Sequence, residues 1–212
     1  MNKKLINIIF ISLFFYLPFT YGKDKETSIE QEMVKCAPEL QLILNKIQRL
    51  PEAQKLLETI QKEGPIQIVI KNVDVSNQFG AFWDPTERLI CLAFAPHITQ
   101  GSLIGSILFE LHNAAVSSKF DHFDELAYNN KIDKEPYVRS KEYLEYVNSL
   151  NAAKMAEKGI VMGIFPRDAY LFTYPSFEEH YADQKMSGHA GHFARMYDQL
   201  SNAKKNKITS KN

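Results

Sequence analysis

The apolar positions of the mature chain first follow a helical period. Over residues 37–61 the apolar side chains recur three or four positions apart, which predicts helices that share one core. Pro38 and Pro51 each suit the first turn of a helix, and Gly64-Pro65 is typical of a helix end. The segment therefore predicts two short helices that begin near these prolines.

The next block has the composition and period of β-strands. Residues 66–70 (IQIVI) and 79–83 (FGAFW) predict two short strands, and residues 84–87 (DPTE) predict a turn. Residues 88–94 (RLICLAF) are apolar on both faces, which predicts a strand that is buried on both sides. The block indicates a small mixed sheet of about three strands.

Helical periodicity returns after the predicted sheet. A wide apolar stripe over residues 102–118 predicts a largely buried helix. Further helices are predicted at residues 120–129, 134–158, 176–185 and 189–201, with Asp133 and Ser176 as N-caps and Gly159 as the stop of the long helix. The predicted fold class is therefore α+β, mostly helical, with the sheet packed on one side of the helix at 102–118.

Residues 1–22 have the pattern of a secretory signal peptide. Two lysines precede an apolar run over residues 5–19, and Thr20-Tyr21-Gly22 places small residues at the expected cleavage site. The run is shorter than the ~20 apolar residues that span a bilayer, which favours cleavage over an uncleaved anchor. We expect a secreted or periplasmic protein with one domain over residues 23–202 and a basic, flexible tail at 203–212.

The charge balance excludes proteins that bind nucleic acid through a basic surface. The chain has 25 basic and 25 acidic residues among 212. Cleavage removes two lysines and no acid, so the mature chain keeps 23 of the 25 basic residues against 25 acidic ones. The membrane is expected to matter only for the signal peptide.

Two cysteines, Cys36 and Cys91, lie in the expected exported part. Export permits one disulfide between them, which would join a predicted N-terminal helix to a core strand. The alternative is that both are buried thiols that act as small apolar residues. The sequence leaves both interpretations open.

The helix at 102–118 carries the one motif that points to a function. Residues 108–114 (LFELHNA) place Glu110 among apolar residues, where a carboxylate is costly unless it is paired or functional. The segment resembles the active helix of zincin metallopeptidases, whose motif is His-Glu-x-x-His. Glu110 matches the general base of that motif, while Phe109 and Asn113 take the two histidine positions. The order of an edge strand and a central strand before the helix is also similar to the family.

The resemblance implies a zincin-like scaffold that has lost its zinc. Phe109 cannot ligate a metal, Asn113 is a poor ligand, and His112 projects from another side of the helix. Glu142 or Glu145 resembles the third ligand of the family, but neither holds a metal alone. We therefore expect no cofactor and no zinc peptidase chemistry at these positions.

Glu110 is the candidate catalytic residue, with two interpretations. In one, Glu110 and Asn113 anchor hydrogen bonds to neighbouring strands or to Tyr143 and Tyr146. In the other, they belong to a new, metal-free active site. The discriminating test is the effect of Glu110 substitutions on stability and on any hydrolysis.

A second group of candidate residues is the C-terminal set His180, His189 and His192. His189 and His192 lie three apart and share a helix face, which makes this set an alternative metal site. In the other interpretation, His189 packs over the altered cleft beside Glu110. The sequence does not decide between them.

The favoured function is a secreted or periplasmic, non-catalytic protein that binds a protein or peptide. The expected cleft is lined by Phe109, Asn113, Glu142, Glu145 and His189. The alternatives are an active hydrolase that uses Glu110 with an atypical metal site, and a structural envelope protein.

Overall fold

The computed structural model describes residues 34–71, 80–93 and 97–209, with side chains to residue 203. All of them fall within one compact unit. The signal peptide expected at residues 1–22 lies outside the described residues. None of the described helices is both long enough and apolar enough to cross a bilayer.

The described residues form four strands and seven α-helices. The strands are β1 (Val34–Cys36), β2 (Ile66–Lys71), β3 (Ala81–Asp84) and β4 (Leu89–Ala93). The helices are α1 (Gln41–Ile47), α2 (Pro51–Gln61), α3 (Gln100–Ala115), α4 (Ser117–Tyr128), α5 (Lys134–Val161), α6 (Phe177–Ser187) and α7 (His189–Thr209), and short 3-10 helices lie at Pro38–Leu40 and Arg167–Ala169. The predicted α+β class, mostly helical with a small mixed sheet, is confirmed.

The sheet has the strand order β1-β2-β4-β3. Strands β1, β2 and β4 are parallel, whereas β3 pairs with β4 in the antiparallel direction and forms an edge. The strand β1 was not expected, and it places Cys36 in the sheet rather than in a helix. Its three residues are too few to show a period of two in the sequence, and their strand conformation depends on pairing with β2.

The first core lies between the sheet and the helices α1, α2, α3 and α5. The apolar stripe of α3 is buried there, including Leu103, Ile104, Ile107, Leu108 and Leu111. Gly101 lets the 3-10 helix at Arg167–Ala169 lie directly against α3, since a Cβ at Gly101 would be 2.4 Å from the Asp168 backbone.

Two helix ends differ from the predictions. Helix α5 passes through Gly159 and continues to Val161. Glycine is needed at 159 for packing rather than as a helix stop, because a Cβ there would lie 2.1 Å from the Phe165 ring. A left-handed residue follows instead at Gly163, with φ of 67°. Helix α7 extends beyond Ser201 to Thr209, into the segment expected to be a flexible tail, and residues 202–209 contain no glycine or proline that would end it.

The second core joins α4, α5, α6 and α7 around Tyr137 and Phe193. A buried cation lies beside it: Lys141 is 2% exposed, and its ammonium is 2.6 Å from the Asp124 carboxylate. Tyr137 also donates a hydrogen bond to Asp124 over 2.6 Å. This group fixes α5 against α4 and so positions the residues of α5 that face the cavity described below.

The sheet register separates the two cysteines. Cys36 pairs with Ile68, while Cys91 pairs with Val69 on the other side of β2. Neighbouring residues of β2 face opposite sides of the sheet, so the two thiols do too, and the intervening strand places their Cα atoms ~10 Å apart. Within the described ranges no disulfide joins them, and the Cys36 thiol donates to Gln41 over 3.2 Å.

We therefore expect the unfolded, unreduced protein to react with thiol reagent at both Cys36 and Cys91. The reason is that the register would have to break before the sulfur atoms could meet. Titration with an aromatic disulfide reagent in denaturant measures this directly. A protein that yields no thiols until it is reduced would contradict the register.

Candidate functional site

A cavity of about 550 Å³ contains most of the predicted site residues. Its lining includes Phe109, Glu110 and Asn113 of α3, Glu145 of α5, His180 of α6, His189 and His192 of α7, and residues 80–83 at the edge of the sheet. The helical spacing of three explains the arrangement, because Glu110 and Asn113 share one face of α3 and Glu142 and Glu145 share one face of α5. Side chains from four helices and the edge of the sheet thus meet around one cavity, whereas Glu142, which was also expected in the cleft, is fully buried and is not part of its lining.

Glu110 is held by a buried chain of amides. Glu110 is 4% exposed, and its carboxylate accepts a hydrogen bond from the Asn113 side chain over 3.0 Å. The oxygen of Asn113 accepts in turn from the side chain of Asn148 over 2.8 Å. Asn113 is therefore a hydrogen-bonded connection between α3 and α5.

Asn148 is a site residue that sequence reasoning missed. It is 3% exposed and lies on α5, three positions after Glu145 and six after Glu142. Polar residues repeated at intervals of three along one side of a helix mark one polar stripe. That periodicity was the available signal.

Burial raises the pKa of Glu110 to about 8, and the charge of the nearby Glu145 adds to this shift. Hydrogen bonds from Asn113 and from the Trp83 backbone, together with His189, act in the opposite direction. Glu110 is therefore mostly a neutral carboxylic acid at pH 7.

The α5 carboxylates meet the imidazole of His189. Its Nδ1 donates to Glu142 Oε1 over 2.9 Å, and its Nε2 lies 3.4 Å from Glu145 Oε2. Burial raises the pKa of Glu145 to about 7. For His189, burial opposes the shift, but the carboxylates of Glu142, Glu145 and Glu110 raise its pKa.

Glu142 is fully buried between two histidines. Burial opposes ionisation, yet contacts with His180 and His189 lower the pKa of Glu142. Its Oε2 lies 3.5 Å from His180 Nε2. Among the described residues, neither of these two atoms has a hydrogen-bond partner.

Glu142, Glu145 and His189 form a group with the side chains of a metal site. Each offers one ligand atom, and these atoms lie within 4.8 Å of one another. The group expected from spacing was His180, His189 and His192, which differs from the group that the fold brings together. His189 turns to the α5 glutamates, and His192 lies on the cavity wall against the Phe193 ring.

The chain matches no family model, no curated protein and no solved structure. What the site does must therefore follow from its own chemistry.

The two positions that would hold zinc in a zincin do not fit a metal. Phe109 has no ligand atom. Both polar atoms of the Asn113 amide are already engaged, with Glu110 and with Asn148. No reaction step can be derived through an ion at these two positions.

Three other residues named in the sequence analysis lie away from the amide chain. His112 donates from Nδ1 to the Leu108 carbonyl over 2.8 Å. Tyr143 and Tyr146, the expected neighbours of Glu110, instead pack their rings against Phe177. The neighbours of Glu110 are residues of α3, the edge strand and α5.

Proposed function

We propose that the protein acts outside the cytoplasm as a non-catalytic binding protein whose cleft receives an extended segment of a protein or peptide. The observation that carries the proposal is that the edge strand β3 borders the cavity. An exposed strand edge offers backbone donors and acceptors to a further strand, and adjacent pockets take the side chains.

The register of β3 defines which backbone groups point outward. The Ala93 N–H donates to the Gly80 carbonyl over 2.9 Å, so Gly80, Phe82 and Asp84 exchange hydrogen bonds with β4. Because hydrogen bonding alternates along an antiparallel strand, Ala81 and Trp83 direct their backbone groups away from β4. The Trp83 N–H donates to the Glu110 carboxylate, which supports an outward direction toward the cavity but occupies that donor. The outward N–H of β3 that we propose for an added strand is therefore that of Ala81.

The rest of the cavity wall is suited to apolar side chains of a ligand. It includes Phe120, Leu171, Phe193 and Met196 as well as Phe109. Small sites that combine apolar walls with a few polar groups are typical of ligand binding. The resemblance to zincins supports the same location, since Glu110 would lie at the centre of a peptide cleft.

Loss of the zincin ligands supports a non-catalytic role. Phe109 and Asn113 remove the family's means of activating water, and Glu110 is neutral and bonded to Asn113 near pH 7. A hydrolase with an atypical metal site is the second candidate, favoured by the group of Glu142, Glu145 and His189 near Glu110. Cleavage of a bound peptide distinguishes the two.

We expect Ala81→Pro to weaken binding of an extended peptide roughly tenfold, because proline removes the outward N–H and obstructs strand addition. The probe is a fluorescent peptide selected from a random display library on the mature protein, and the measurement is anisotropy in EDTA. Ala81→Ser is the matched control, since it keeps the N–H and should bind like the wild type.

Thermal unfolding shows whether the proline variant is folded. Proline is tolerated at an edge position whose N–H does not belong to the ladder. If a folded Ala81→Pro binds the peptide as tightly as Ala81→Ser, strand addition at β3 is wrong.

A further inference from the structure

We propose that Glu142, Glu145 and His189 bind one divalent transition-metal ion of the zinc type, beside His180. This site differs from the zincin pattern, because neither Phe109 nor Asn113 contributes to it. The inference does not rest on the peptide-binding function.

The spacing of the donors fits one ion. Zinc bonds to carboxylate oxygen and imidazole nitrogen are ~2.0–2.2 Å long, so two donors on a tetrahedral ion lie ~3.3 Å apart. His189 Nε2 and Glu145 Oε2 are separated by 3.4 Å. Glu142 offers the third donor, and the ligand atoms of the three residues all lie within 4.8 Å of one another.

Glu142 also fixes the imidazole that would ligate. It accepts the Nδ1 proton of His189 over 2.9 Å, which orients the ring and directs Nε2 toward Glu145. When an ion binds to Nε2, Glu142 exchanges this hydrogen bond for the ion, because a carboxylate that holds the Nδ1 proton lies too far from Nε2 to ligate there. Side chains from two helices, α5 and α7, are therefore already arranged before an ion binds.

His180 supplies an independent reason to expect a ligand. Its side chain is 8% exposed, and its Nε2 points at Glu142 Oε2 from 3.5 Å. Within the described part of the chain, both atoms are buried and neither has a hydrogen-bond partner. Buried polar atoms are almost always satisfied, so such a pair indicates that a partner such as an ion belongs there.

The donor set determines the kind of ion. Calcium and magnesium take oxygen ligands, and magnesium keeps much of its water. Two carboxylates with one or two imidazoles favour zinc or a neighbouring transition metal. We therefore expect zinc to bind and magnesium and calcium to compete poorly.

The test uses untagged mature protein that has been stripped with EDTA and then dialysed against zinc. Elemental analysis should find about one zinc per chain, and a tenfold excess of magnesium or calcium should not displace it. Less than a fifth of an ion per chain at micromolar zinc would overturn the proposal, as would displacement by magnesium.

Single substitutions then locate the ion. We expect His189→Ala and Glu145→Gln each to weaken zinc binding at least tenfold by calorimetry. His192→Ala is the matched control, because His192 lies one helical turn along α7 on the same cavity wall but outside the group. It should bind zinc like the wild type.

Two controls keep the outcome clear. Glu145→Gln preserves shape, so it decides the question if His189→Ala fails to fold by circular dichroism. Zinc binding that survives both substitutions, or that is lost equally in His192→Ala, would contradict the site. Because the peptide assay is done in EDTA, failure of the metal site and failure of the proposed function are separate results.

Discussion

Asp124→Asn is expected to destabilise the protein by about 3 kcal/mol, because it leaves the Lys141 ammonium buried without its counter-ion. Lys141 is 2% exposed and lies 2.6 Å from the Asp124 carboxylate. Its other close contacts are the Phe120 carbonyl at 3.2 Å and aromatic rings, which do not neutralise the charge, and Asp121 and Glu145 act on it only from farther away. The asparagine oxygen still accepts from Tyr137, so the loss reports mainly on the charge. Urea unfolding at pH 7 measures it.

The double variant Asp124→Asn with Lys141→Met provides the control. Methionine removes the buried charge and fills much of the same apolar space, so most of the lost stability should return. Burial already lowers the pKa of Lys141, and the deficit of the single variant should therefore shrink at high pH, where the folded protein sheds the proton first. A single variant within about 0.5 kcal/mol of the wild type would contradict the role of this pair.

The second large effect is that the wild type loses stability as the pH rises from about 4.5 to about 8. The lower limit is the ordinary pKa of a glutamate, and the upper limit is the pKa of Glu110 in the folded protein. The folded protein keeps a proton that the unfolded chain releases, so higher pH favours unfolding across this window. The effect is absent below the lower value and complete above the upper one. The pKa of Glu145, raised to about 7, acts in the same direction.

Glu110→Gln should flatten this pH dependence, because glutamine cannot ionise and keeps nearly the same shape. At pH 8.5 the variant should be more stable than the wild type by roughly 2 kcal/mol, with little difference at pH 5. Glu110→Leu should instead cost roughly 1–3 kcal/mol, since it leaves the Asn113 amide without its acceptor.

Urea unfolding at the two pH values compares the three proteins. Glu58→Gln, which changes an exposed glutamate of α2, is the matched control and should follow the wild type. Parallel stability curves for the wild type and Glu110→Gln would show that Glu110 is not a buried acid.

Local patterns in the sequence predicted most of the elements but not β1 and not all of the contacts between elements. Helix α3 has an apolar stripe, and strand β4 is apolar on both faces. Each pattern lies within the element's own sequence, and both elements were predicted. Strand β1 has three residues and exists through pairing with β2. The course of α5 through Gly159 depends on the Phe165 ring, a contact made only after the chain has turned back.

The same distinction holds for the site. The approach of Glu110 and Asn113 follows from their spacing on one helix, but the hydrogen bond between them was not predicted, because both were expected to bond to neighbouring strands or to tyrosines of α5. The link from Asn113 to Asn148 spans 35 positions, and that from His189 to Glu142 spans 47. Helical spacing pairs His189 with His192 equally well, so only the packing of α7 against α5 could show which partner His189 takes.

The central claim is that the cleft binds an extended segment without cutting it. The most direct test incubates the selected peptide with zinc-supplied protein at pH 7 and follows it by mass spectrometry. Because Glu110 is bonded to Asn113 and neither Phe109 nor Asn113 offers a metal ligand beside it, we expect the peptide to be bound and to stay intact. Cleavage by the wild type that disappears in a folded Glu110→Gln variant would contradict the claim and establish a hydrolase.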